Sequence, residues 1–288
     1  MAKKSNASSL LKQWQPAILG AKAAGSPAGA KAVKLEKFDP AAQPFSCGDK
    51  ARDKARVVEL AEEINLLQDR LLADKRYKLL VVLQGTDASG KDGTLRDVFS
   101  RTSPLGVRTV GWKVPSEIEQ AHDYLWRIHQ QVPAAGEIVA FNRSHYEDVL
   151  VPVVNGWITA QQTHQRYAHI NDFERMLSET GTVVLKFMLH ISFGEQRKRL
   201  QDRIDDETKH WKFSLGDLQV RKQWSQYQAA YAALLGATST PWAPWMIVPS
   251  DSKTHRSLMI VTVVRDTLSM LDLRYPPAKK ELKGLRVS

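Results

Sequence analysis

The run Gly85-Thr86-Asp87-Ala88-Ser89-Gly90-Lys91-Asp92-Gly93-Thr94 constrains the fold more than any other ten residues of this chain. Ahead of it lies Leu79-Leu80-Val81-Val82-Leu83, with the length and composition of a strand buried on both faces. After it, Leu95, Val98 and Phe99 fall on one side of a helix and Arg96, Asp97 and Arg101 on the other. Strand, glycine-rich turn and helix follow in the order a phosphate-binding loop requires. Gly85, Gly90 and Lys91 meet its spacing, Gly-x-x-x-x-Gly-Lys. Glycines let the backbone curl with its N–H groups inward. The helix start adds unpaired N–H groups and a positive dipole end, and Lys91 adds a mobile point charge. The candidate phosphate-binding residues are therefore Gly85, Ala88, Ser89, Gly90, Lys91, Asp92, Gly93 and Thr94.

One position departs from the usual loop. The residue after the lysine is ordinarily a Ser or Thr that ligates magnesium, and here it is Asp92. Asp87 lies inside the loop, where a carboxylate repels phosphates unless a cation sits between them. That makes Asp87 a candidate metal ligand, with Mg²⁺, or Mn²⁺ in its place, as the expected cofactor.

The rest of the chain alternates strand and helix. Helical periodicity runs from about Lys50 to Asp74 through Val57, Leu60, Ala61, Ile64, Leu67 and Leu71. Strands are expected at Val107–Trp112, Gly136–Phe141, Thr182–Ile191 and Met246–Pro249. Helices are expected from a Ser116 cap to about His129, over 161–179 with Phe173, Met176 and Leu177 inward, and over Phe193–Asp205, Leu218–Leu235 and Lys253–Leu273. This order predicts an α/β fold, a doubly wound parallel sheet flanked by helices. With no repeat and no second loop, residues 33–288 read as one domain. Residues 1–32 read as a flexible basic tail, in which Leu10, Leu11, Trp14 and Ile18 form either a short docking helix or a frayed terminus.

The third expected strand ends in Asn142-Arg143-Ser144-His145-Tyr146-Glu147-Asp148. Sites in open parallel sheets lie beyond the carboxyl ends of the strands, so this run belongs beside the loop. Arg143 is the expected catalytic cation, since its planar fork grips phosphoryl oxygens. Glu147 and Asp148 are candidates to hold Arg143 or a metal. A nucleophilic His145 is disfavoured, because in-line transfer needs no covalent intermediate. The stretch 195–215 interleaves Arg199, Arg203, Lys209 and Lys212 with acids, and Arg199 and Arg203 share a helix face. Lys113, Asn142, Tyr146 and Glu147 are candidate nucleotide contacts; Trp112 and Trp211 are candidate base-stacking residues, although such residues more often serve packing.

Three segments, GTDASGKDGT (Gly85–Thr94), FNRSHYEDVL (Phe141–Leu150) and DRIDDETKHWKFS (Asp202–Ser214), together resemble the polyphosphate kinase 2 family over roughly Phe38 to Leu273. The wording is most similar to the subfamily that phosphorylates both nucleoside mono- and diphosphates. The resemblance implies a P-loop kinase-like fold with a helical lid at about 195–215. It implies catalytic roles for Asp87, Lys91, Arg143 and Arg203, and inorganic polyphosphate and adenine, or guanine, nucleotides as substrates. A homodimer or homotetramer is the implied assembly. Family members often have Asp at the position of Asn142, which weakens a direct metal role there and leaves Asp87, with Asp148 as the second candidate.

Composition narrows the alternatives. Lys and Arg exceed Asp and Glu by 41 to 31, a formal charge of +10 that attracts polyanions. A single cysteine, Cys47, excludes an internal disulfide and a cysteine-based zinc cluster. No apolar run reaches membrane-span length, the N-terminal stretch does not read as a signal peptide, and a cytoplasmic, membrane-free protein is expected. An ATP-dependent nucleoside or nucleotide kinase of the same core is the alternative enzyme. A nucleic-acid-binding P-loop protein is the alternative binder, but the helix-turn-helix, zinc and RNA-binding signatures are missing from the sequence.

Overall fold

A computed structural model describes residues 11–18, 29–282 and 284–287. The apolar run ahead of the loop is β1 (Lys78–Gln84), the central strand of a five-stranded sheet. With β2 (Val107–Gly111), β3 (Ile138–Asn142), β4 (Thr182–His190) and β5 (Trp245–Pro249), the order is β2-β3-β1-β4-β5, and every pairing is parallel. The register sets Leu83 and Gly111 opposite Asn142. The segments that follow β1, β2 and β3 therefore emerge at one edge of the sheet.

Parallel strands need crossovers, so both faces are covered. Leu79, Val81 and Leu83 pack with α1 (Lys50–Asp74), α2 (Lys91–Phe99) and α10 (Lys253–Met270). Leu80 and Val82 point the other way, toward α5 (Glu147–Val154), α6 (Ala160–Glu179) and α9 (Trp224–Thr238). This explains the unbroken apolar wording of β1. α7 (Phe193–Asp205), a 3₁₀ segment (Glu207–Lys212) and α8 (Leu215–Lys222) lie between β4 and α9.

The expected doubly wound α/β sheet is present, and three local readings need correction. The stretch after Ser116 is two single turns, α3 (Glu117–Gln120) and α4 (Trp126–His129), rather than one helix. Ser116 does cap the first, but Asp123 accepts from the Leu125 N–H and ends the run in a local turn. The helix expected over Leu218–Leu235 is divided at Gln223, whose N–H turns back to the Val220 carbonyl. Met176 is exposed rather than inward.

The N-terminal segment is partly docked. The Trp14 carbonyl accepts from the Ile247 N–H of β5 at 2.8 Å, and Leu11 and Trp14 pack on the α1 side of the core. Ile18 is exposed, and Leu10 lies outside the described residues. Among the described residues no helix is long and apolar enough to cross a membrane.

Candidate active site

The loop after β1 is shaped by two glycines whose positive φ and close neighbours disfavour any side chain. A Cβ on Gly85 (φ 152°) would stand 2.8 Å from the Leu189 carbonyl oxygen, and one on Gly90 (φ 106°) would stand 1.9 Å from Arg256 Nη1. Ala88 and Arg143 hold left-handed backbone (φ 64° and 65°) without being glycine. Such strain persists where surrounding contacts over-determine it, often at functional sites.

Lys91 opens α2 and is buried. Its Nζ donates to the carbonyls of Gly85 (2.8 Å) and Thr86 (3.3 Å), folding back over the loop. Burial, aided by the nearby Arg143 charge, pulls its pKa down to about 8. A bound phosphate would oppose that shift and restore the proton. Binding of tripolyphosphate at pH 8.5 is therefore expected to take up protons at Lys91. Calorimetry in buffers of different ionisation enthalpy reads this as an uptake missing from Lys91→Ala. Equal proton linkage in the two proteins would contradict the assignment.

Arg143, just past β3, ties the site together. Nη2 meets Asp87 Oδ1 at 2.7 Å and Nη1 meets Glu147 Oε2 at 3.0 Å. Burial works against its charge, but Glu147 and Asp87 outweigh it and hold the guanidinium protonated. Asn142 Nδ2 donates to Asp92 Oδ1 at 2.5 Å, so the two departures from the usual wording contact each other.

Two clefts open on either side of Asp87 and Arg143. The first, about 530 Å³, is bounded by the loop, Lys113, Arg203, Lys209, Trp211 and Lys212. The second, about 410 Å³, is bounded by Glu147, Ser214, Gln219, Tyr227 and Tyr231. Asp217 lines both; burial and then Asp87 raise its pKa, placing two carboxylates within each other's field. Arg203 donates to the Lys212 carbonyl (3.0 Å) and to Asp217 (3.3 Å). Trp211 is 78% exposed beside the first cleft, with Lys212 Nζ 4.8 Å from its ring centroid. Lys209 pairs with Asp206.

Two candidates, Tyr146 and Asp148, fall elsewhere, and two more, Arg199 and Trp112, line the first cleft while engaged by other protein groups. Tyr146 is fully buried under the sheet, not on a nucleotide: its hydroxyl meets Glu174 (2.7 Å) and Lys186 (2.8 Å). Asp148 pairs with Arg127 at 3.5 Å rather than joining Asp87. Adjacent helical residues point about 100° apart, so Glu147 takes the site side and Asp148 does not. Arg199 lines the first cleft, but its guanidinium is engaged: it donates to the carbonyls of Ala88, Ser89, Ser250 and Asp251 and so braces the loop. Trp112 is packed edge-on against Phe141 and under Arg127. His145, also buried, bonds Glu174.

Asp217, Tyr227, Tyr231, Gln196 and Arg256 were not evident from the sequence. Gln196 donates to the Asp87 carbonyl at 3.1 Å. Asp217 is legible only as the last residue of a Ser-x-x-Asp capping box. The i,i+4 pair Tyr227 and Tyr231 was the available signal for the second cleft.

A glycine-rich loop with phosphate-loop spacing between a strand and a helix, an arginine at the next strand end and a basic segment opposite are the arrangement of a P-loop kinase-like phosphotransferase. The sequence profile of Polyphosphate kinase 2 (PPK2) matches residues 48–276. An AMP/ADP-polyphosphate phosphotransferase of Meiothermus ruber is 48% identical over 244 residues, 84% of this chain and 91% of that protein. An ADP-polyphosphate phosphotransferase of Rhodopseudomonas palustris is 39% identical over 78% of this chain and 83% of its own. The crystal structure of polyphosphate kinase 2 from Arthrobacter aurescens TC1 superposes with a TM-score of 0.85 at 40% identity, covering 93% of this chain and 97% of that one. The chain belongs to the polyphosphate kinase 2 family.

Proposed function

We propose that this protein transfers phosphoryl groups reversibly between inorganic polyphosphate and nucleotides, converting ADP to ATP and AMP to ADP, with guanine nucleotides as further acceptors. The observation that carries the reading is the meeting of two clefts at Asp87 and Arg143, one of them cationic. Membership of a family whose relatives are named for AMP and ADP supports the choice of acceptor.

In this reading the polyphosphate end lies in the basic cleft, with Lys91 and Arg203 on its oxygens, and the nucleotide lies in the tyrosine-lined cleft. Arg143 stands between them, where charge spreads over the transferred group. The acceptor is a phosphate oxygen already ionised at neutral pH, so no strong general base is required. The segment from α7 to α8 acts as a lid that excludes water, which otherwise would consume the donor.

Asp87, with Asp217 in its field, suits a hard divalent cation that completes its shell with phosphate oxygens and water. When bound, Mg²⁺ would neutralise charge between Asp87 and the phosphates. Among the described residues no three acidic, histidine or cysteine side chains converge as a ready-made cage, which suits substrate-assisted binding. The reading includes a cytoplasmic homodimer or homotetramer.

The test of the acceptor assignment is a time course with long-chain polyphosphate and AMP. ADP forming first and ATP following is the expected result; turnover of ADP alone would remove AMP from the reading. Arg203→Ala is expected to raise the KM for polyphosphate about tenfold, a loss of one charge-assisted contact, and to leave the nucleotide KM within about twofold. An unchanged polyphosphate KM would contradict the lid assignment.

A further inference from the structure

One wall of the basic cleft belongs neither to the loop nor to the lid segment. It is the first turn of α10, carrying Lys253 and Arg256. Arg256 is 2% exposed, yet its contacts are poor. Nη1 lies 3.4 Å from the Ser89 carbonyl, Nη2 lies 3.4 Å from Ser257 Oγ and 4.0 Å from Asp97, and Nε has no partner. Asp97 Oδ2 is already engaged by Ser257 Oγ at 2.6 Å. A guanidinium withdrawn from water normally has a carboxylate in full contact, because an uncompensated buried charge is costly.

The position of this charge is specific. The missing Cβ of Gly90 would stand 1.9 Å from Arg256 Nη1, and that of Gly93 3.2 Å from Nη2. The guanidinium thus lies against the loop backbone where α2 begins, with no Gly90 side chain in between. Arg199 donates to the Ser89 carbonyl as well. Burial first, and then the Arg199 charge, lower the pKa of both Arg256 (to about 10) and Lys253. Against these three cations, the described residues place one close carboxylate contact, Glu195 on Arg199 at 2.8 Å. Like charges gathered this way are unfavourable until an anion joins them, and the cleft they face would hold a polyanion.

We propose that the first turn of α10 is a third cationic wall of the donor site, contributing Arg256 as a fixed charge beside Gly90 and Lys253 as a mobile one to the phosphoryl oxygens of bound polyphosphate. The inference rests on the basic cleft being the donor site. It separates recognition of the donor from that of the nucleotide, since neither residue lines the tyrosine-bounded cleft.

Calorimetric titration of the full chain with inorganic tripolyphosphate, and separately with ADP, tests it. Arg256→Met is expected to bind tripolyphosphate about tenfold more weakly than wild type, and Arg256→Lys to recover most of that loss, since charge is what acts. Lys253→Ala, an exposed change that leaves the fold alone, is expected to weaken it about threefold. ADP affinity should move less than about twofold throughout. Arg256→Lys as damaging as Arg256→Met, or ADP affinity falling in parallel, would reduce Arg256 to a strut for the loop and overturn the proposal. Should Arg256→Met not fold, unchanged tripolyphosphate binding by Lys253→Ala overturns it. Wild type failing to bind tripolyphosphate would sink the donor-site reading together with this one; normal binding by wild type and all variants would sink this one alone.

Discussion

Lys91→Ala is expected to lower kcat about 10³-fold, a loss of about 4 kcal/mol of transition-state stabilisation, while the protein stays folded. The ammonium is held inside the loop by the carbonyls of Gly85 and Thr86 and faces the cleft between the loop and Arg143. In a water-poor site a fixed charge acts on a phosphoryl group far more strongly than in solution. The fold should tolerate the change, because the buried ammonium is already disfavoured by desolvation and by Arg143. A Tm within about 3 °C of wild type is the accompanying expectation. Near-normal turnover would mean that the loop does not hold the reacting phosphates. Asp87→Ala is expected to behave alike in kcat, through loss of the carboxylate that pairs with Arg143 and that is proposed to hold the metal.

The largest effect on stability is expected at a site remote from either cleft. Lys186, on β4, is buried with Glu174 of α6: Nζ meets Oε2 at 2.6 Å, the Tyr146 hydroxyl at 2.8 Å and the Thr238 carbonyl at 2.8 Å. Burial pushes the Glu174 carboxyl up, but Lys186 and His145 outweigh it and hold it below the usual carboxylate range. Lys186→Met keeps the volume and leaves Glu174 without its ammonium. The expected cost is about 3–5 kcal/mol, a fall in Tm of about 6–15 °C for a domain of this size. The double variant with Glu174→Gln should be more stable than Lys186→Met alone, since the stranded charge is gone. A single variant as stable as wild type would mean that the pair is not an ion pair in the folded protein.

This network also explains where the sequence was misleading. Phe141 to Leu150 reads as one functional run, and half of it is structural. Arg143 and Glu147 face the clefts, whereas His145 and Tyr146 turn under the sheet to meet Glu174, a residue 28 positions beyond Tyr146. Polar wording cannot reveal that a partner waits in the core. The loop, the parallel order and the long helix α1 were legible because each is local: glycine spacing, strand hydrophobicity and 3.6-residue periodicity are written within a few turns. Arg199 and Arg203 share a helix and both line the first cleft, yet Arg199 is anchored by carbonyls from the loop and from just beyond β5, while Arg203 is held within the basic segment by the Lys212 carbonyl and Asp217. That division depends on residues 51 and 111 positions away. A still longer separation hid Arg256, whose helix reads as an ordinary core element until Gly90 is brought against it.

The most direct measurement is a nucleotide chromatogram after incubating the protein with Mg²⁺ and ADP, with long-chain polyphosphate in one arm and none in the other. The account predicts ATP in the first arm, at a rate that collapses in Lys91→Ala and Asp87→Ala. Equal ATP in both arms, matched mole for mole by AMP, would contradict it and make this core an ATP-dependent nucleotide kinase.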